Sequence, residues 1–222
     1  MHLPIILTNF KNYPSAMGDG ADRLTELHIA VAKKTGKSFA VAVGALDIAR
    51  IVKKYGSQIP VFAQHVDNAI LGSSTGKIVP AYLAAIGVAG TLLNHSENRF
   101  QDFHELEKTI GTAKKAGLIT VVCAENAEEG SIIMKLFKPD FIAVEPPELI
   151  GGEISVSTAK PYLISESVLE IGHGKVLVGA GVKNGEDVRV ALEKGAVGVL
   201  LASGVTKAED PEKVLEDLVS KI

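Results

Sequence analysis

The sequence predicts an α/β fold, a closed (β/α)8 barrel of parallel strands, and three observations predict it. Short apolar runs alternate with amphipathic stretches from one end of the chain to the other, and strands that alternate with helices build a parallel sheet. The alternation repeats eight times without a breaker-rich linker, which suits a closed barrel better than an open doubly wound sheet. The 222 residues fall short of the roughly 250 typical of such barrels. They still lie in the range where an α/β barrel forms one unit, so residues 1–222 are read as a single domain.

The units follow in order. Ile5-Ile6-Leu7 reads as the first strand, ending at Thr8-Asn9-Phe10-Lys11-Asn12-Tyr13-Pro14, and a helical period covers 21–34. Phe39 to Val43 is the second strand, with a helix over 45–55. The third strand runs from Ile59 to Ala63, followed by a polar loop over 64–77 and a short helix over 79–86. Val88 to Leu93 is the fourth strand and leads into Asn94-His95-Ser96-Glu97-Asn98-Arg99, then a helix over 102–115. Leu118 to Cys123 is the fifth, with a helix over 127–136, and Phe141 to Val144 is the sixth, with a helix over 157–171. Val176-Leu177-Val178 ends in Gly179-Ala180-Gly181, with a helix over 186–194. Val197 to Leu201 ends in Ala202-Ser203-Gly204, and a helix over 211–219 closes the chain. Continuous Val, Ile and Leu runs are the mark of strands buried on both faces.

Composition narrows the function. A net charge of −3 with scattered lysines and arginines gives no basic stripe for nucleic acid. The first junction has no G-x-G-x-x-G, so no dinucleotide is expected. No pair of histidines has metal-ligand spacing with a carboxylate, so no metal or other cofactor is expected. Met1-His2-Leu3-Pro4 lacks the basic head and apolar core of a signal peptide, and no apolar run approaches the roughly 18 residues of a membrane span. The single cysteine, Cys123, lies in a strand-like run and reads as a core residue in a reducing compartment. A cytoplasmic protein is the expectation.

In such barrels catalytic groups sit where strands end and loops begin. Those junctions offer Asn9 and Lys11 at the first, Asn94, His95, Ser96 and Glu97 at the fourth, and Glu145 at the sixth. Glu145 ends an apolar strand and is followed by two prolines, an apolar tip and Gly151-Gly152. Pro146 keeps Glu145 extended, and the Pro and Gly pairs bracket a segment stiff at one end and free at the other, the build of a lid. Glycine-rich loops after strands seven and eight bind phosphate through backbone N–H groups. Glu145 could take a proton from carbon. A helix N-terminus at His95 would disfavour the imidazolium, leaving a neutral ring to hydrogen-bond a substrate oxygen. Lys11 supplies positive charge for a developing enediolate and a phosphate, Asn9 can donate to an oxygen, and Glu97 can orient Lys11. Each has an ordinary counterpart: a strand-end lysine is usually solvated, and a histidine near a helix start is usually a cap. A different phosphate-binding barrel enzyme, such as a sugar-phosphate epimerase, or a non-catalytic metabolite-binding barrel would share the phosphate loops.

Asn9-Phe10-Lys11, Leu93-Asn94-His95-Ser96-Glu97-Asn98-Arg99, Ala143-Val144-Glu145-Pro146-Pro147-Glu148-Leu149-Ile150-Gly151 and Val199-Leu200-Leu201-Ala202-Ser203-Gly204 together resemble the triosephosphate isomerase family. They occur in that family's order, and the chain is most similar to its shorter, archaeal-type members. The resemblance implies an isomerase of glycolysis and gluconeogenesis that interconverts dihydroxyacetone phosphate and D-glyceraldehyde 3-phosphate without a cofactor. It implies Glu145 as the base, neutral His95 as the group polarising the carbonyl, Lys11 and Asn9 as substrate ligands, and Glu97 as support for Lys11. It places Ile150 and Gly151 in the lid and Gly181, Ala202 and Ser203 at the phosphate. It also implies a homodimer, or a tetramer as in some archaeal-type relatives, with the 64–77 loop and Thr75 at the interface. Glu148 stands where many members carry Trp, and Gly152-Glu153 where Thr-Gly is common.

Overall fold

The computed structural model describes residues 2–146 and 161–222. Its strands are β1 (Ile5–Asn9), β2 (Ser38–Val43), β3 (Val61–Ala63), β4 (Gly90–Leu93), β5 (Ile119–Ala124), β6 (Phe141–Val144), β7 (Val176–Val178) and β8 (Gly198–Leu201). They pair in sequence order, all parallel, and β8 returns to β1. The expected (β/α)8 barrel is the fold. The helices are α1 (Asp19–Thr35), α2 (Ile48–Tyr55), α3 (Pro80–Ala85), α4 (Phe103–Lys115), α5 (Ala127–Phe137), α6 (Pro161–Ile171), α7 (Gly185–Glu193), α8 (Ser203–Thr206) and α9 (Pro211–Val219).

Boundaries shift where local chemistry overrides the apolar pattern. The ladder of β3 begins at Val61 because Pro60 has no N–H to give it, although the Pro60 carbonyl accepts from Val41 at 3.1 Å. The second helix starts at Ile48, after a turn in which Asp47 N–H donates to the Gly44 carbonyl. Residues 157–160 of the expected sixth helix lie outside the described residues. Two short elements were not foreseen: the 3-10 turn Pro14–Ala16 and α8.

The core has two shells. Inside the barrel, Ile5, Leu7, Phe62, Leu92, Leu177 and Leu200 meet. Outside it, the opposite faces of the same strands pack on the helices through residues such as Ile6, Val41, Leu106, Ile133 and Val188. Each such side chain contributes about 1.5–3 kcal/mol by leaving water. Phe62 fills the interior at the cost of its neighbour's side chain: a Cβ on Gly90 would stand 2.3 Å from its ring. Among the described residues, no helix is long and apolar enough to cross a membrane.

Candidate active site

Side chains alternate between the two faces of a strand, so the interior face continues upward by steps of two. That step carries β1 from Ile5 and Leu7 to Asn9, β6 from Ala143 to Glu145, and β8 from Leu200 to Ala202. All three ends line one cavity of about 60 Å³ at the C-terminal mouth. Lys11, His95, Gly181 and Ser203 line it as well. Seven of the residues singled out in the sequence therefore converge. Glu97 stands just outside and reaches in through Lys11, and Ile150 and Gly151, with Glu148 and Glu153, lie outside the described residues.

Glu145 is 7% exposed. Its backbone is pinned on both sides: its N–H donates to Ala124 at 2.8 Å, and Gly179 N–H donates to the preceding Val144 carbonyl at 2.9 Å. Its side chain lies over Gly179, where a Cβ would come within 2.3 Å of the glutamate Cγ. Gly179 was read as part of the phosphate loop; the structure gives it the further task of making room for the carboxylate. Burial first, then the charge of the Glu145 carboxylate, push the Cys123 thiol well above its usual range. Cys123 thus stays protonated, a buried core residue. Glu145 Oε2 is buried and has no hydrogen-bond partner among the described residues. It lies 3.8 Å from His95 Nε2. A buried polar atom left without a partner is rare enough to call for a functional explanation.

His95 does not begin a helix. It opens a turn in which Asn98 N–H donates to its carbonyl at 2.8 Å, and α4 starts eight residues later, capped by Asp102. The expected helix N-terminus is therefore absent at His95, and a local hydrogen bond orients the ring instead. Glu97 N–H donates to His95 Nδ1 at 3.1 Å. A nitrogen that accepts carries no proton, so the ring's proton sits on Nε2. Nε2–H is then a donor on the ring edge that faces Glu145 and the cavity.

Lys11 has φ 50, in the left-handed region, which costs a residue with a side chain roughly 1–2 kcal/mol. Flanking groups hold it there. Its N–H donates to Asn9 Oδ1 at 3.0 Å and its carbonyl accepts from Gln64 Nε2 at 3.0 Å. Its ammonium meets Glu97 at 2.7 Å. With Glu97 60% exposed, the pair adds little stability; its effect is to aim the lysine. Gln64 was not singled out, although its place two beyond the interior Phe62 was the signal for it. Asn94, at φ 59, donates to the Cys123 carbonyl and accepts from Phe100 N–H, so it shapes the fourth loop and does not face substrate. Arg99 ties that loop to Glu125 and Glu129.

On the other side of the cavity, Ala180 and Gly181 have φ 66 and 76, and both line it. Ala202 precedes α8, whose first amides, on Ser203 and Gly204, lack an intrahelical acceptor. Next to the cavity lies a larger groove of about 1010 Å³, which shares Lys11, Tyr13 and His95 with it and is edged by Leu46, Leu71 and Tyr82. These three side chains are 97%, 65% and 56% exposed.

Fold and cavity together define a class: a (β/α)8 barrel with a buried carboxylate and an imidazole close together at the C-terminal ends of its strands. Residues 4–221 match the triosephosphate isomerase family. A triosephosphate isomerase from Methanobacterium bryantii is 44% identical, over 99% of this chain and 97% of its own. One from Methanosarcina acetivorans is 43% identical, over 99% of each. The chain belongs to the triosephosphate isomerase family. The crystal structure of triosephosphate isomerase from Bartonella henselae, 20% identical, superposes with a TM-score of 0.70 over 95% of this chain and 97% of that one, a likeness of fold.

Proposed function

We propose that Glu145, His95 and Lys11 carry the interconversion of dihydroxyacetone phosphate and D-glyceraldehyde 3-phosphate in this chain. The observation that carries the reading is the buried, unpartnered Glu145 Oε2 at 3.8 Å from an imidazole nitrogen that bears a proton. Glu145 takes a proton from the carbon beside the carbonyl, and the C–H electrons become the C=C bond of an enediolate. Nε2–H of His95 stabilises and then protonates one oxygen, and the ring recovers a proton from the other. Glu145 returns its proton to the neighbouring carbon. Positioned acid–base groups of this kind contribute roughly 100- to 10,000-fold each. Lys11 offsets the negative charge of the enediolate, Asn9 seats the substrate, and Glu97 aims Lys11. Gly181, Ala202 and Ser203 hold the phosphate through backbone amides, and Ile150 and Gly151 belong to the lid that excludes water. The chemistry asks for no metal or other cofactor.

The same reading takes residues 1–222 as one domain and the enzyme as a cytoplasmic homo-oligomer, a dimer or a tetramer, serving glycolysis and gluconeogenesis. Association is supported by the exposed Leu46, Leu71 and Tyr82 at the groove beside Lys11, since apolar side chains rimming a large groove mark a protein contact. The 64–77 loop that would fill a partner's groove is closed at its base by Asp67. Its carboxylate accepts from Ile78 N–H at 2.7 Å and from the Lys77 ammonium at 3.0 Å. Burial opposes ionisation there, but these donors outweigh it and hold the carboxyl below its usual range.

A coupled assay of glyceraldehyde 3-phosphate conversion, without added metal or nucleotide, tests the reading on the wild type and on Glu145→Gln. Fast conversion, reduced at least 100-fold in the variant with retained phosphate binding, is the expected result. Equal rates in the two proteins would remove Glu145 from the mechanism.

A further inference from the structure

Lys11 holds a left-handed backbone that no glycine relaxes, and such strain persists only where the surroundings over-determine it. Asn9 and Gln64 hold the residue itself. What holds the chain beyond it lies on the neighbouring loop, in α8 after β8, the strand that pairs with β1. The Ser15 hydroxyl donates to the Thr206 carbonyl at 2.6 Å, across 191 residues of sequence. Thr206 stands in the last turn of α8, where carbonyls have no intrahelical donor, so Ser15 fills an acceptor that would otherwise go unmet. One residue on, the Lys207 ammonium lies 4.4 Å from the centroid of the Tyr13 ring, inside the range of a cation–π contact. Tyr13 itself lines the cavity. The turn between them is stiff: Pro14, Ser15 and Ala16 form the 3-10 element, with Ala16 N–H donating to the Tyr13 carbonyl at 2.8 Å. Gly20 packs so close that a Cβ there would stand 2.4 Å from the Ser15 carbonyl oxygen.

We infer that Ser15 and Lys207 are positioning residues that strap the Lys11 loop to α8, so that the catalytic cation and the phosphate seat move as one body. The inference rests on the roles proposed above for Lys11 and for Ala202 and Ser203. Neither Ser15 nor Lys207 touches substrate in this account. Both act through the distance between Lys11 and the phosphate-binding amides, which a triose phosphate must span with its carbonyl at one end and its phosphate at the other. A displacement of about 1 Å at a reacting group can cost on the order of 100-fold in rate. Loosening a strap that is one of several restraints should cost less.

The test measures kcat, KM, inhibition by inorganic phosphate and the melting midpoint for the wild type, Ser15→Ala, Lys207→Met and their combination, with Lys11→Met as a control. Rescue variants are Ser15→Thr and Lys207→Arg, which keep the hydroxyl and the cation. The expected result is a combined variant with kcat lowered about tenfold and both KM and the phosphate inhibition constant raised severalfold. Its melting midpoint should stay within about 4 °C of wild type, and the conservative variants should recover most of the loss. A combined variant with wild-type kcat and KM, whether or not its midpoint falls, overturns the inference, because the strap then serves stability alone. The control separates that failure from failure of the site reading. If Lys11→Met keeps full turnover, the role proposed for Lys11 is wrong; if it is inactive while the strap variants are normal, only the strap is.

Discussion

Gly36, Gly87, Gly117, Gly172 and Gly195, in the turns where helices hand over to strands, all have positive φ. At the opposite end, where strands hand over to loops, positive φ falls on Gly18, Gly72, Gly76 and Gly181, but also on Lys11, Asn94 and Ala180. Both ends need left-handed turns, and glycine takes them without steric cost. The first end uses it almost throughout, with Lys138 closing α5 as the exception. The second end also uses glycine, yet it keeps side chains at three such positions. Below, only the path of the chain matters. Above, Lys11 must carry a cation and Asn94 must bind two backbone groups at once, so the strain is retained because the side chain is needed.

Replacing Lys11 by glycine breaks this contrast most sharply. Lys11→Gly relieves the backbone and removes the cation, so kcat/KM should fall about 100- to 1000-fold while the melting midpoint stays at or above that of the wild type. A midpoint that falls along with turnover would mean that the lysine holds the fold, and the two ends would differ less than proposed.

A second contrast lies between two buried histidines. His95 accepts at Nδ1 from a backbone N–H, whereas His28 Nδ1 donates to the Leu24 carbonyl at 2.7 Å, and its Nε2 accepts from the Thr8 hydroxyl at 2.8 Å. His28 is fully buried between the rings of Phe10 and Phe39. Burial lowers its pKa from 6.5 to about 4, against the opposing pull of the Leu24 carbonyl. The unfolded chain therefore takes up a proton at His28 near pH 6.5 and the folded one only near pH 4. Stability from this group is complete above pH 6.5 and is lost as pH falls through that window, by about 3 kcal/mol in all. Urea unfolding of wild type and His28→Gln from pH 7 to pH 4 checks it: the variant should be less stable at pH 7 and have a flatter pH dependence. Parallel curves would assign the slope to other groups.

The smallest effect belongs to the glycine end. Gly36 has φ 71 and open space where a Cβ would go, so Gly36→Ala costs only backbone strain, about 1 kcal/mol. The melting midpoint should drop by about 2–4 °C with kcat and KM unchanged. A loss of activity would show that the lower end also shapes the site.

Much of this was legible in the sequence. Eight apolar runs separated by amphipathic stretches define the barrel because each strand is buried on both faces and each helix on one. Asn9, Lys11, His95 and Glu145 were legible because they close such runs, and a strand's end in a barrel is its mouth. What was hidden depended on contacts distant in sequence or on single hydrogen bonds. Nothing in the fourth junction reveals that Glu97 N–H fixes the ring of His95, and a helix start was expected in its place. Gly179 reads as one glycine of a loop until the Glu145 side chain is seen to lie over it. Ser15 and Thr206 meet only because β8 returns to β1 and brings the first and last loops together.

If Glu145 moves the proton between carbons, isomerisation in D2O followed by proton NMR will show it. The wild type should place solvent deuterium on the carbon of the product that receives the proton, because a carboxylate proton exchanges with water before it is returned. Glu145→Gln, with its phosphate inhibition constant unchanged, should incorporate deuterium at least 100-fold more slowly. Deuterium entering the product at the wild-type rate in that variant would contradict the account and assign the proton transfer to another group at the mouth.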